Sequence, residues 1–286
     1  MASLIDIRRR VRSVRNTQQI TKAMKMISAA KLRRAQDRAL ASRPYAHLLQ
    51  EILANVAEAA RQNPYEGGHP LLAERPEDRI LLVVVTADRG LAGGFNSNLL
   101  RLAQRFVNEH RDKELSFELL GRKGRDYFRR RGAKISAEHL DLFRNVRYED
   151  AEKIANSIVE RFSQAEIDAV YLFVNEFRSV VAPNVTVRRL LPIEVPKSSA
   201  PADYIYEQKP EELLGSLLPR YVRVQLYRAL LESAAAEHAA RMTAMDAATK
   251  NASEMIDNLT LYMNRVRQAS ITREIIEIVS GAAALG

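Results

Sequence analysis

"RYVRVQLYRALLESAAAEHAARMTAMDAATKNASEMIDNLTLYMNRVRQASITREIIEIVS" (residues 220–280) is a run of 61 residues without Pro or Gly, and good helix formers occupy it throughout. Two columns of mostly apolar or small residues recur in it at heptad spacing. The first column is Leu217, Val224, Leu231, His238, Met245, Ala252, Leu259 and Val266. The second is Tyr221, Arg228, Ala235, Met242, Thr249, Ile256, Met263 and Ser270. Stripes of this length are typical of a coiled coil, so we predict one long helix over 211–286.

A second long helix is predicted at the N-terminus, over residues 1–60, because the sequence from Asp6 to Glu58 holds no Gly and a single Pro, Pro44. Its heptad seam has apolar or small residues at both ends, which are Leu4, Ile7, Val11 and Val14 at the start and Leu32 and Ala35 at the end. Between these ends, polar residues interrupt the seam at Gln18, Thr21, Lys25 and Ser28. A second apolar stripe, Ile20, Met24 and Ile27, is displaced around the helix from the first. We therefore expect a helix that shares its faces among several neighbours.

The sequence between the two helices has a different pattern. "RILLVVVT" (79–86) is a continuous apolar run, typical of a parallel strand that is buried on both faces. Further strands are predicted, at 115–121, 168–177 and 184–192. Helices are predicted to alternate with them, at 96–109, 122–131 and 148–163. This alternation predicts a Rossmann-like α/β domain over 77–192, so the fold class is α/β, with a long antiparallel coiled coil formed by the terminal helices.

The two terminal helices differ in length. At 1.5 Å per residue a first helix of residues 3–58 is about 80 Å long and a second of residues 211–284 is about 110 Å, so the second overhangs an antiparallel partner by about its last 16 to 20 residues. This overhang is "ITREIIEIVSGAAALG" (271–286), which carries no charged side chain after Glu277. Its apolar side chains at Ile271, Ile275, Ile276 and Val279 share one helical face. We expect that face to need a wall supplied by another protein.

Positive charge is concentrated in the first helix. Residues 1–38 hold eleven Lys or Arg against Asp6 and Asp37, a net charge of +9 that equals the net charge of the whole chain. Three interpretations remain open from the residues alone: a solvated face, a nucleic-acid-binding rod, or a helix steered against acidic protein surfaces. No aromatic residue precedes Tyr45, which disfavours a nucleic-acid site that stacks bases.

Catalytic, metal and cofactor sites are not indicated by the sequence. The chain has no Cys, its five His lack metal-ligand spacing, and no secretory signal or membrane-spanning run is predicted. The most enzyme-like segment is the glycine-rich turn "TADRGLAGGFN" (86–96), which lacks the Lys of a phosphate-binding loop. We interpret it as a tight strand-to-helix turn, with Asn96 or Ser97 capping the helix.

Several segments resemble one known family in order along nearly the whole chain. "ITREIIEIVSGAAA" is similar to the C-terminal signature of the γ subunit of F-type ATP synthases, with matches at Ile271, Thr272, Glu274, Glu277, Gly281 and Ala282. The other matching segments are "NTQQITKAMKMISAAKLRRAQ" (16–36), "RPYA" (43–46), "TADRGLAGGFN" (86–96), "LLPRY" (217–221), "EHAARMTAMDAAT" (237–249) and "RQASIT" (267–272).

The resemblance implies a non-catalytic central stalk, or rotor shaft, that couples proton-driven rotation of the membrane c-ring to ATP synthesis and hydrolysis in the hexamer of α and β subunits. The implied partners are the α and β subunits, the ε subunit and the c-ring, with no cofactor, no nucleic acid and no direct membrane span. The implied location is the cytoplasmic face of a bacterial cell membrane. Basic-rod nucleic-acid binding stays the alternative.

The resemblance also implies which residues contact the hexamer. Arg267, Gln268 and Thr272 match family residues that lie against β-subunit loops, and Lys22, Met24 and Lys25 are expected at the same level on the partner helix. Ile275, Ile276 and Val279 are expected in an apolar sleeve near the top of the hexamer.

Overall fold

The computed structural model describes residues 3–62, 69–177, 183–194 and 208–283 of the chain. Two long helices stand at the ends of the described sequence, and strands alternate with shorter helices between them. The elements in order are α1 (Leu4–Gln62), β1 (Arg79–Val85), α2 (Phe95–Glu109), β2 (Glu114–Leu120), α3 (Arg122–Arg129), β3 (Ile135–His139), α4 (Tyr148–Ser163), β4 (Ala169–Phe177), β5 (Pro183–Leu191) and α5 (Pro210–Ala283). The predicted fold class is confirmed, and so are the predicted helices and strands within the described residues; the predicted helix ends at 1–2 and 284–286 lie outside them.

One strand escaped prediction. The segment "ISAEH" of β3 alternates half-buried and exposed side chains and contains no apolar run. It forms because it pairs with β2 at one edge of the sheet, where only one neighbouring strand is present. Pairing of this kind depends on the partner strand and leaves little local signal.

The five strands form one sheet in the order β3-β2-β1-β4-β5. The strands β1 to β4 are parallel to one another where they pair, and β5 lies antiparallel to β4. Six consecutive residues of β1, from Ile80 to Val85, are 0% exposed, since β1 has a strand on each side and a packed layer on each face. This burial explains the continuous apolar run in the sequence.

Each face of the sheet has its own helical cover. On one face, Leu82, Val84 and Phe117 pack with residues of α2 and α3 such as Leu99 and Phe128. On the other face, Leu81, Val83, Val85 and Leu172 pack with α4, with the later part of α1 and with the first part of α5. The domain is therefore a three-layer arrangement in which segments of both long helices complete one layer.

The chain divides into two compact units, one of residues 29–241 and one formed by residues 1–28 with 242–286. The second unit is an antiparallel helix pair, in which Thr21 Oγ1 lies 2.8 Å from Thr249 Oγ1 and Lys25 Nζ lies 2.6 Å from Asp246 Oδ1. All residues of the two heptad columns predicted for α5 are buried or half-buried from Met242 to Ser270. The predicted division into 1–60, 77–192 and 211–286 is a division by chain segment and stays a prediction.

The seam of α1 in this pair differs from the prediction. The polar residues continue the seam, because Thr21 and Ser28 are buried and Gln18 and Lys25 are half-buried. Ile20 and Ile27 are instead 59% and 57% exposed and lie outside the seam. The hydrogen bond between the two threonines satisfies both hydroxyl groups inside the pair, which makes polar seam positions acceptable here.

Candidate functional site

The carboxyl ends of β1 and β4 mark the place where an open α/β sheet of this kind usually binds a ligand. The connections from β1 run through β2 to β3 on one side, and β4 then adds on the other side of β1. Ligands bind preferentially in the crevice at such a reversal of strand order. The glycine-rich turn at 86–94 leaves β1 at this point and leads into α2.

The chain fills this crevice with its own α5. Ser233 Oγ donates a hydrogen bond to the carbonyl oxygen of Asn175 in β4, at 3.3 Å. Ala236 is buried in a cluster with Ala87 and Phe95 at the two ends of the turn. Five residues further along α5, Arg241 Nη2 donates to the carbonyl oxygen of Gly90 at 3.1 Å. The place of a ligand in related folds is thus occupied by a helix of this chain.

Two backbone amides at the ends of the turn also donate hydrogen bonds within the chain. The Ala87 amide donates to Asn96 Oδ1 at 2.9 Å, and the Phe95 amide donates to the Ala92 carbonyl at 3.1 Å. The predicted capping of α2 by Asn96 or Ser97 is wrong, since the N-cap residue is Gly94 and makes no side-chain cap hydrogen bond. The Asn96 side chain instead reaches back across the turn. The turn therefore serves to close the strand onto the helix.

An ionic cluster holds α5 beside the turn. Glu237 is 4% exposed, its Oε1 lies 2.6 Å from Arg241 Nη2, and its Oε2 lies 2.8 Å from His238 Nδ1. Burial by itself raises the pKa of the Glu237 carboxyl, but the contacts with His238 and Arg241 outweigh burial and hold that pKa below its ordinary value. Glu237 stays ionised at neutral pH and keeps Arg241 aimed at the turn.

The second candidate site is the surface of the helix pair. Lys22 is exposed, Met24 is half-buried, and Lys25 is half-buried with its ammonium group on Asp246. Hydrogen bonds from Lys25 and then from Lys250 lower the pKa of Asp246 below its ordinary value. The sequence analysis did not single out Asp246. Its position next to Met245, a residue of the predicted heptad column, could have indicated that it lies at the edge of the helix pair.

The structure does not bring the two predicted groups of contact residues to one level. The pairs Thr21–Thr249 and Lys25–Asp246 set the antiparallel register. In that register Lys22 lies level with about residue 249, so Arg267 lies 18 residues further along α5, about 27 Å at 1.5 Å per residue. The expectation of a single level is wrong, because a short-range motif match carries no information on the register between two helices.

The end of α5 has no neighbour within the part of the chain that the structure describes. Extending the register sets Leu4 level with about residue 267, and every residue from Ile271 to Ala283 is exposed. Ile275, Ile276 and Val279 are 55%, 58% and 61% exposed. Arg267, Gln268 and Thr272 are exposed as well. The predicted overhang is confirmed.

The described ranges hold neither a metal-binding cluster nor a membrane-spanning helix. No group of three or more His, Asp or Glu side chains there is placed to hold a metal ion. No described helix has the length and apolar character to cross a bilayer.

Comparison with known proteins places the chain in a family. A family model described as ATP synthase matches residues 3–285. The ATP synthase gamma chain of Solibacter usitatus is 63% identical over 284 residues, which is 99% of each chain. That of Anaeromyxobacter sp. strain Fw109-5 is 53% identical over 290 residues and covers 100% of each chain.

Solved structures agree with this placement. A chain of the central stalk and c-ring structure of the Tetrahymena thermophila mitochondrial ATP synthase matches with a TM-score of 0.62 at 26% identity, over 80% of this chain and 99% of that one. A chain of the Euglena gracilis mitochondrial enzyme matches with a TM-score of 0.67 over 99% of this chain and 94% of that one. At 15% identity, the second likeness concerns the fold alone.

Two long terminal helices joined to an α/β domain, with an exposed apolar end on the second helix, define a central-stalk type of subunit. The chain belongs to the ATP synthase gamma chain family. It has the function of the central stalk of an ATP synthase and is a peripheral subunit of that complex. Membership of this family argues against the alternative that the chain is a nucleic-acid-binding rod.

Proposed function

We propose that the chain is the non-catalytic rotor shaft of a bacterial F-type ATP synthase, on the cytoplasmic face of the cell membrane. It couples proton-driven rotation of the c-ring to ATP synthesis and hydrolysis on the β subunits of the α/β hexamer, with the ε subunit beside its α/β domain. A single asymmetric shaft contacts three chemically identical β subunits differently. Such differential contacts are what hold the three sites in different states.

The exposed apolar end of α5 is the observation that carries this proposal. Ile278 is 71% exposed and Ile271 is 48% exposed, on a helix that continues to Ala283 without a described neighbour. A row of exposed apolar side chains marks a protein-binding surface. Because no charge follows Glu277, the last turns offer no ion pair that would hold one orientation. An apolar sleeve of the hexamer supports such an end while it turns.

The remaining contact residues form two levels in this proposal. Arg267, Gln268 and Thr272 contact the hexamer near the sleeve. Lys22, Met24 and Lys25 contact it about 27 Å further along the helix pair. Lys22 is exposed and free to meet an acidic partner, whereas Lys25 already neutralises Asp246. We therefore assign the steering of acidic loops at that level mainly to Lys22.

The absence of catalysis is supported by the filled crevice at the carboxyl ends of β1 and β4. Ser233 and Ala236 of α5 lie where a nucleotide would bind in a related α/β domain. The nucleotide sites of the complex then belong to other subunits.

Charge substitution in the overhang tests the proposal in the purified complex. The variants are Ile275→Glu and Val279→Glu, and Arg273→Glu, on the other side of the same helix turn, is the control. We expect the first two variants to lower ATP-driven proton pumping about tenfold or more, because an unpaired charge in an apolar sleeve costs several kcal/mol, roughly. The control is expected to keep wild-type pumping. Wild-type rates in all three variants would contradict the sleeve contact.

A further inference from the structure

A groove on the outer side of α2 plays no part in the sites described so far. It has a volume of about 510 Å³ and is lined by Ser97, Leu100, Arg101, Gln104, Arg105, Asn108 and Tyr127. Tyr127 belongs to α3, and the other six residues belong to α2. The six recur along α2 every three or four residues, so they form one face of the helix. From Ser97 to Asn108 the groove is about 17 Å long at 1.5 Å per residue.

The groove carries positive charge from two arginines and has no carboxylate of its own to balance it. Arg101 and Arg105 lie one helical turn apart, both are exposed, and neither forms an ion pair with another described residue. No carboxylate lines the groove. Neighbouring arginines on α3 behave differently, since Arg125 pairs with Asp126 at 2.8 Å and Arg129 pairs with Glu138 at 2.5 Å. Two like charges at this spacing weaken a helix slightly, so folding alone does not account for them.

Hydrogen bonds hold the remaining polar groups of the groove in place. Tyr127 Oη donates to Gln104 Oε1 at 3.5 Å, and Gln104 Nε2 donates to Asn108 Oδ1 at 3.4 Å. Arg111 Nη2 also donates to Asn108 Oδ1, at 3.3 Å. The amide oxygens are thus already accepting hydrogen bonds, and the groups left free are mainly donors.

Aromatic packing fixes the other wall. The guanidinium carbon of Arg131 lies 3.6 Å from the centroid of the Tyr127 ring, and Arg131 Nη1 donates to the Tyr127 carbonyl at 3.1 Å. This cation–π contact orders the ring and adds a further positive charge beside the groove. A ligand rich in acceptors and negative charge is the complement of such a surface.

We propose that this groove binds an acidic peptide segment of another subunit of the complex, with two carboxylates that reach Arg101 and Arg105. The length of about 17 Å matches about five residues of extended chain at 3.3 Å each, whereas a single small anion would occupy only part of it. Arg and Tyr are also enriched at the centres of protein interfaces. The inference rests on the proposed function, because that function supplies the partner subunits.

Photochemical cross-linking in the assembled complex tests the inference. The chain has no Cys, so a benzophenone maleimide attached to a Ser97→Cys variant before assembly labels one position at the end of the groove. We expect irradiation to join the chain to one partner peptide that holds at least two Asp or Glu within five residues. The charge-reversed pair R101E/R105E is expected to lower the adduct yield about tenfold or more.

The matched control is R144E/K153E, which makes the same change of charge at two exposed residues outside the groove. We expect it to leave the yield unchanged, and we expect both double variants to keep the wild-type melting temperature. A complex that contains the labelled chain but forms no adduct would overturn the inference. So would an adduct to a peptide without carboxylates, or a yield that R101E/R105E does not change.

Inorganic phosphate separates a peptide site from a site for small anions. If millimolar phosphate abolished the adduct while chloride at equal ionic strength did not, the groove would be a small-anion site and the inference would be wrong. Failure of the labelled chain to enter the complex would instead overturn the proposed function.

Discussion

Gly121 is the residue whose backbone is most constrained by its surroundings. It links β2 to α3 at φ 97°, and its amide donates to the His139 carbonyl at 2.7 Å. A Cβ atom at this position would lie 2.0 Å from the carbonyl oxygen of Thr86. Gly132 also has a positive φ, of 68°, but nothing lies within 4 Å of its Cβ position. The two glycines therefore separate backbone strain from steric collision.

We predict that Gly121→Ala lowers the free energy of unfolding of the full chain by at least about 3 kcal/mol, because strain and a backbone collision add. Gly132→Ala should lower it by only about 1 kcal/mol, from strain alone. Urea denaturation followed by circular dichroism measures both changes. Equal losses for the two variants would show that the close approach of Gly121 to Thr86 does not matter.

Glu237 gives a prediction on pH. The folded-state pKa of its carboxyl lies below the ordinary value of 4.5, so its ionic contacts stabilise the fold above about pH 4.5 and are lost as the pH falls through the lower folded pKa. We predict that Glu237→Gln lowers the free energy of unfolding by about 1–3 kcal/mol at pH 7, and that this difference shrinks below about pH 4.5. Denaturation across that pH range measures it.

Glu254 is the control for this prediction, since it is an exposed glutamate on the same helix. Glu254→Gln should leave both the stability and its pH dependence unchanged. A difference between wild type and Glu237→Gln that stayed constant down to pH 3, roughly, would mean that ionisation of Glu237 plays no part.

At the scale of elements, the helix pair combines an internal ion pair with surface charge. Lys25 and Asp246 join α1 to α5, while Lys22, three residues earlier, is exposed. Reversing both lysines together would mix a loss inside the pair with a loss of partner contact. The two lysines have to be changed separately.

We predict that Lys25→Glu speeds amide hydrogen exchange of residues 17–29 several-fold in the free chain, because it sets a carboxylate against Asp246. The exchanged pair K25E/D246K should restore slow exchange, and Lys22→Glu should match the wild type. Lys22→Glu is then the clean probe in the complex, where we expect weaker coupling of ATP hydrolysis to proton pumping. Faster exchange in Lys22→Glu than in Lys25→Glu would reverse these assignments.

At the scale of the whole molecule, the α/β domain has the architecture of a nucleotide-binding fold with its crevice filled from within. Ser233, Ala236 and Arg241 of α5 contact the strand ends and the glycine-rich turn. A helix that also continues into the helix pair closes the site. At these strand ends the domain is therefore closed by its own helix.

We predict that the full chain shows no saturable heat of ATP binding in calorimetry with or without Mg²⁺, because α5 occupies the crevice and the amides of Ala87 and Phe95 donate within the chain. Wild-type chain titrated with buffer gives the reference heat. A Kd in the micromolar range would show that the crevice opens, and it would contradict the interpretation of the turn as architecture.

The sequence by itself determined the family and, except for β3, the types of the helices and strands. The absence of Pro and Gly over residues 220–280 requires a long helix, and the run at Ile80–Val85 requires a strand buried on both faces. The difference in helix length also predicted the exposed end beyond Ser270. These features depend on local propensity and on chain length, which a sequence states directly.

Only the tertiary structure decided the register and the use of each surface. The pair Thr21–Thr249 sets the level of every contact residue on the helix pair, yet its members are 228 positions apart in the sequence. β3 exists because β2 pairs with it, and the groove along α2 exists because Tyr127 packs beside it. Periodicity assigns a residue to one side of its own element, but which neighbour covers that side depends on the balance of many distant contacts.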